Sequence, residues 1–133
     1  MKQQELTEKI IGCAMKVHST LGPGFLESVY VKALNPELNK AGLKVECEKQ
    51  IEVHYDGIVV GEFSADLLVE DKIMLELKAN LAIVTANEVQ LVNYLTATGI
   101  EVGLLLNFGT ERLEFKRKVR TFRPQAQPQE SIP

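Results

Sequence analysis

The stretch Asp66-Leu67-Leu68-Val69-Glu70-Asp71-Lys72-Ile73-Met74-Leu75-Glu76-Leu77-Lys78 decides how the chain reads. Two apolar runs, Leu67 to Val69 and Ile73 to Leu75, flank the polar triplet Glu70-Asp71-Lys72. This pattern predicts a short β-hairpin. With Asp71 at the centre of the turn, Leu68 faces Met74 and Asp66 faces Glu76. Residues opposite one another on an antiparallel pair lie about 4.5–5.5 Å apart and share a face. Lys78, two residues beyond Glu76, joins that face. Facing carboxylates repel, so at least one of the two is expected to titrate high on its own. A divalent cation removes the conflict, because carboxylate oxygens are the hard ligands that Mg²⁺ and Mn²⁺ prefer. The lysine then stands where an attacking water or a phosphate oxygen would be.

A chain of 133 residues, 45% hydrophobic and 25% charged, suits one globular domain. No apolar run approaches the roughly 20 residues of a membrane span. The opening Met1-Lys2-Gln3-Gln4-Glu5 leads into an amphipathic segment and not a signal peptide's apolar block, so a cytoplasmic location is expected. Cys13 and Cys47 are too isolated for a zinc motif. The net charge of −3 is unevenly spread: residues 1–111 carry 9 basic and 16 acidic side chains, a balance of −7. Residues 112–133 carry 6 and 2, a balance of +4. A basic run such as Lys116-Arg117-Lys118 is ordinarily a solvated strand. Beside an acidic, metal-holding site it can also face phosphate. The domain is expected over 1–120, with a disordered tail over 121–133 rich in proline and glutamine.

From the start, Thr7 is expected to cap a helix carrying Ile10, Ile11, Ala14, Val17, His18 and Leu21. Gly22-Pro23-Gly24 stops it. A second helix starts near Phe25 or Leu26 and ends at Gly42, with a kink or break expected at Pro36, where Asn35 can cap a fresh turn. Strands follow over Leu43–Cys47 and around Ile51, Val53 and Tyr55, then a turn at Asp56-Gly57. A strand from Ile58 runs into Asp66 and the hairpin. Thr85-Ala86-Asn87-Glu88 predicts a capping box for a helix closed by Gly99. Val102–Leu106 is a strand buried on both faces, and a last strand covers about Leu113 to Val119. The expected order is α-α-β-β-β-β-α-β-β, an α/β (α+β) domain with a mixed central sheet flanked by helices.

Asp66 with Glu76-Leu77-Lys78 resembles the D…(D/E)-x-K signature of the PD-(D/E)XK nuclease superfamily. Gly24-Phe25-Leu26-Glu27-Ser28-Val29-Tyr30 is Gly-x-x-Glu-x-x-Tyr, preceded by Val17-His18-Ser19-Thr20-Leu21-Gly22-Pro23. Together with Ala65-Asp66-Leu67-Leu68-Val69, Glu76-Leu77-Lys78-Ala79 and Asn107-Phe108-Gly109, this resembles the small bacterial GxxExxY family of that superfamily, from about Leu6 to Val119. The resemblance implies a restriction-endonuclease-like core. It implies Asp66, Glu76 and the Leu77 carbonyl as metal ligands, with Lys78 and Glu27 as catalytic residues. Read without it, Glu27 is a first-turn helix glutamate favoured by the helix dipole. Tyr30, one turn on, and His18 would ordinarily be packing residues; the resemblance makes them accessory candidates. Gln90 and Tyr94 share a helix face and resemble the Gln-x-x-x-Tyr of an exonuclease branch attached to some bacterial helicases. There the glutamine can orient the lysine or a phosphate. The chain departs from the family at Ser64, where members often carry a basic residue.

The resulting expectation is a Mg²⁺- or Mn²⁺-dependent nuclease acting on nucleic acid, DNA ahead of RNA, without membrane association and in a plausible homodimer. The alternative is a non-catalytic nucleic-acid- or protein-binding module that keeps the nuclease fold. A structural subunit of a larger assembly is a third reading, and it would show a large exposed apolar patch.

Overall fold

The computed structural model describes residues 3–121. The expected tail over 121–133 lies, apart from Thr121, outside the described residues. Helix α1 spans Gln4–Leu21 and α2 Glu27–Lys40. Strands β1 (Val45–Tyr55), β2 (Ile58–Val69) and β3 (Ile73–Lys78) follow. Helix α3 (Thr85–Thr98) then leads to β4 (Val102–Asn107) and β5 (Glu114–Val119). One sheet runs in the order β1-β2-β3-β4-β5. All pairs are antiparallel except β3–β4, which is parallel and therefore needs a long crossover, supplied by α3. The expected mixed sheet flanked by helices is present, with one strand fewer than expected because Leu43–Cys47 and Ile51–Tyr55 merge into β1.

The sheet is covered on both faces. Ile73, Leu75 and Leu77 of β3 pack with Ile10, Ala14 and Val17 of α1 and Tyr30, Leu34 and Leu38 of α2. Met74, between them on the strand, points the other way to Leu91 and Leu95 of α3. Strand β4 is buried along its whole length. Gly103 lets α3 close on it, since a Cβ there would lie 2.9 Å from Leu91 Cδ1.

Four local expectations are corrected. Helix α1 begins at Gln4, so Thr7 is inside it, buried, and caps nothing. Helix α2 runs through Pro36 without a break, and Asn35 is helical rather than a cap. Proline there costs roughly 3 kcal/mol. Tyr30, Leu34 and Leu38 form one fully buried stripe across it, and burial of such side chains contributes about 1.5–3 kcal/mol each. Gly42 does end the helix: its N–H bonds the Asn39 carbonyl and the Leu43 N–H bonds that of Leu38, the double bond of a Schellman cap. Helix α3 is capped one residue earlier than expected, by Asn87 Oδ1 accepting the Val84 N–H at 3.3 Å. Thr85 is its first residue, and Glu88 serves elsewhere. Asp56 and Gly57 both have positive φ, as a two-residue type I′ hairpin requires.

Candidate active site

The register of the β2–β3 hairpin is the expected one, with Leu68 opposite Met74 and Val69 opposite Ile73. Glu70 and Asp71 make the turn, both at positive φ. The ladder ends at Leu67↔Leu75. The next hydrogen-bonded pair would set Ala65 opposite Leu77. Instead, the Asp66 carboxylate takes the place of a strand carbonyl, and its Oδ2 accepts the Leu77 N–H at 2.8 Å. Reciprocally, Glu76 Oε2 accepts the Asp66 N–H at 3.3 Å. The two carboxylates are thus tied into each other's backbones where the strands part.

Asp66 is also where β2 loses its other neighbour. The β1–β2 ladder runs Cys47↔Leu67 and then Lys49↔Ala65, and the intervening Glu48–Asp66 pair drops out. Glu48 sits at φ 52, a left-handed conformation that costs a non-glycine residue about 1–2 kcal/mol. Side chains switch faces across this point. Leu67 and Val69 join the α1–α2 cluster, whereas Phe63 and Ala65 join the α3 cluster. Strict alternation would keep all four on one side. The strand is wrung at Asp66, and the wringing frees its carboxylate from both ladders.

Lys78 gives its carbonyl to the Phe108 N–H at 2.8 Å. A strand residue's N–H and C=O point the same way, and successive residues alternate. Leu77 therefore turns both groups toward Asp66, so its carbonyl is aimed into the site. Lys78 shares its face with Glu76, and its charge acts on both carboxylates.

Burial is the main reason Glu76 is pushed up to about 8, followed by the charge of Asp66; the Asp66 N–H, then Lys78, offset part of it. Asp66 is raised chiefly by burial too, with the Leu77 N–H opposing and Glu27 adding. The expected raised carboxylate is present, but desolvation outweighs the like-charge repulsion invoked for it. Glu27, exposed in the first turn of α2, reaches the pair electrostatically across 39 residues of sequence. Glu48 acts on Asp66 as well, and no sequence pattern marked it. Tyr94 is raised by burial and then by Glu76, which puts its phenol beside the site; its ring stacks on Phe63 at 3.5 Å.

Residues 4–118 match the family described as the PD-(D/E)XK nuclease superfamily. The chain belongs to that superfamily. A solved structure titled "Crystal structure of SSO0001" shares the fold, with a TM-score of 0.56 at 18% identity. The match covers 74% of this chain and 52% of that one, so this PD-(D/E)XK domain spans about half the length of that protein. No curated protein matches the chain. Among the described residues, no helix is long and apolar enough to cross a membrane.

The other candidates of this PD-(D/E)XK domain are spread over α1, α2, α3 and β5. Tyr30 is fully buried and stacks on Phe108 at 4.6 Å. Its hydroxyl donates to the Gly22 carbonyl at 2.6 Å and accepts the Phe25 N–H at 3.1 Å. The tyrosine of Gly-x-x-Glu-x-x-Tyr thus staples the turn that launches α2 and sets where Glu27 stands. Tyr30→Phe leaves two part-buried backbone groups, the Gly22 carbonyl and the Phe25 N–H, without this partner and is expected to lower stability by about 1–3 kcal/mol, measured by urea unfolding. A loss under about 0.5 kcal/mol would mean that water replaces the hydroxyl. His18 joins α1 to the β4–β5 loop, its Nε2 lying 2.9 Å from the Thr110 carbonyl. Gln90 is exposed on α3.

On β5, Lys118 is already paired with Glu88 at 3.0 Å, an expected phosphate contact that instead ties β5 to α3. Lys116 is exposed. It is in register with Leu105, which is in register with Glu76, so it stands on the site's face two strand spacings away, about 10 Å. Arg117 alternates to the opposite face.

Asn107 has a role that the sequence did not disclose. Fully buried at the end of β4, it accepts the Asn80 and Gly109 N–H groups. It donates to the Asn80 carbonyl and to Glu114. It thereby fixes the segment leaving Lys78. A lone asparagine closing a continuous apolar strand was the available signal.

Proposed function

We propose that this domain hydrolyses phosphodiester bonds of nucleic acid with the help of Mg²⁺ or Mn²⁺, as a member of the GxxExxY type. The observation that carries the reading is the insertion of the Asp66 carboxylate at the parting of two strands, against Glu76 and beside Lys78. A fold gains nothing from setting a buried Glu76 against a half-buried Asp66 there unless a cation joins them. Among the described residues no three acidic, histidine or cysteine side chains form a metal cluster by themselves. Mg²⁺ is commonly held by one or two carboxylates while waters and substrate phosphate complete its shell. Asp66, Glu76 and the Leu77 carbonyl would hold it.

When bound, the cation supplies charge to polarise the phosphate and to acidify a water. The chain's own part is to fix Asp66 and Glu76 through the Leu77 and Asp66 N–H groups, which favour the ionised carboxylates against the burial that opposes them. The Lys78 ammonium donates to the attacking water or to a phosphate oxygen as negative charge develops. Glu27 would orient a water from the α2 side, with Tyr94, and Gln90 one turn before it, assisting from α3. Lys116 meets a flanking phosphate.

The test is cleavage of single- and double-stranded DNA and RNA across a Mn²⁺ and Mg²⁺ titration. Lys78→Ala is expected to cut at least about 10²-fold more slowly, the usual loss on removing one such stabilising donor. Millimolar Mn²⁺ should raise the melting temperature of the wild type, because the ion binds the folded state alone. No cleavage of any substrate together with no Mn²⁺-dependent shift would shift the assignment to a binding module.

A further inference from the structure

Where the chain leaves Lys78 it borders a cleft of about 690 Å³, within the size range of sites for small organic groups. One wall is Gly24 and Phe25, the latter two residues before Glu27; the other starts at Ala79, directly after Lys78, and runs through Leu81 to Val84. Both walls therefore adjoin site residues along the chain, although Glu27, Asp66, Glu76 and Lys78 do not themselves line the cleft. Its lining carries no charged side chain. Its apolar groups are open to solvent: Phe25 is 47% exposed, Val84 53% and Leu81 93%.

Both walls are fixed in advance. Tyr30 bonds the Gly22 carbonyl and the Phe25 N–H on one side. Asn107 bonds both the N–H and the carbonyl of Asn80 on the other. A side chain at Gly109 would strike the Asn80 carbonyl at 2.3 Å, so the Ala79–Asn80 peptide is seated directly on that glycine. The result is a rigid, neutral slot with an aromatic ring held half in water beside a phosphate-directed centre.

A base pair in a duplex keeps its faces stacked and offers none of them to the aromatic ring of this cleft. An unpaired base presents an apolar π-face, and proteins take such bases by stacking them on aromatic rings. We propose that the cleft seats an unpaired base next to the scissile phosphate, against Phe25, so that the preferred substrate is single-stranded nucleic acid. This rests on the nuclease reading above and adds its substrate class.

The experiment measures binding rather than turnover, using the Lys78→Ala protein and Mn²⁺. Fluorescence anisotropy follows a labelled single-stranded 12-mer and the same sequence as a blunt duplex, each against the Phe25→Ala, Phe25→Leu and Phe25→Trp forms of that protein. Phe25→Ala and Phe25→Leu are expected to weaken single-strand binding about tenfold or more, the usual consequence of losing one base–aromatic stack. Phe25→Trp should retain the affinity, and duplex binding should move little. The leucine keeps an apolar group over Tyr30 and guards against a collapsed turn. Single-strand affinity unchanged in Phe25→Leu, or lost equally for both forms, overturns the base slot while leaving the nuclease reading intact. Failure of the Phe25-intact protein to bind either nucleic acid overturns both.

Discussion

Replacing Glu76 by glutamine is expected to make the metal-free protein more stable at pH 8, by about 3–5 kcal/mol at 1.36 kcal/mol per pH unit of displaced pKa. The folded state holds the Glu76 carboxyl at about 8, where the ordinary value is 4.5. Between those two pH values the folded chain keeps a proton that the unfolded chain has released. Stability therefore falls as pH rises from about 4.5 to about 8 and levels off above that. Asp66, also raised, adds a loss of the same sign. Glutamine still accepts the Asp66 N–H through its amide oxygen, and its NH₂ group faces a carboxylate instead of repelling one. The pH slope should shrink to the part due to Asp66. Urea unfolding at pH 5, 6, 7 and 8 with chelator reads both effects. A wild type of constant stability over that range, or a glutamine variant that is weaker at pH 8, would show that the pair is not desolvated as the fold implies.

The same substitution links stability to function. Mn²⁺ supplies positive charge that the acid pair lacks, so the wild type should gain most from the ion at pH 8. Glu76→Gln should gain least, having lost a ligand and the repulsion together. A site kept unstable in the absence of its ion, and relieved by it, is a common compromise between stability and activity. A structural acid pair would instead show no such exchange.

What could be read in the sequence was what repeats or mirrors. The two-residue side-chain period and the symmetry of the stretch about Asp71 place Leu68 opposite Met74, and the structure agrees. The unbroken apolar run at Val102 did mark a strand buried on both faces. Features set by tertiary contact were not legible. Glutamate carries no sign of a left-handed backbone, so Glu48 could not be foreseen as the point where β1 and β2 twist apart. The threonines Thr7 and Thr85 have capping chemistry, yet α1 begins upstream of one and Asn87 caps α3 ahead of the other. Pro36 reads as a breaker only until Tyr30, Leu34 and Leu38 are seen to bury one stripe across it. Lys118 looked like a phosphate contact because its partner, Glu88, is 30 residues away in sequence.

Gly109→Ala is expected to cost about 3–5 kcal/mol, summing a backbone overpacking penalty of about 1–3 with about 1 for each hydrogen bond displaced. The new Cβ would lie 2.3 Å from the Asn80 carbonyl oxygen and 2.6 Å from the Asn80 nitrogen and the Ala79 carbonyl carbon. All three are backbone atoms, so no rotamer change relieves the contact. The segment after Lys78 must move, but Asn107 holds both polar groups of Asn80 and is itself fully buried. Shifting Asn80 breaks those bonds and leaves the buried Asn107 amide only its Gly109 and Glu114 partners. It also moves the peptide adjoining Lys78, so cleavage should fall along with stability. Gly12→Ala is the control. Gly12 lies within α1 with nothing within 4 Å of the added carbon, and alanine there should stabilise by about 0.5–1 kcal/mol through helix propensity. Paired urea denaturation of the two variants separates the causes. If Gly109→Ala unfolds like the wild type, the 79–84 segment is free to relax, and Asn107 does not fix the position of Lys78.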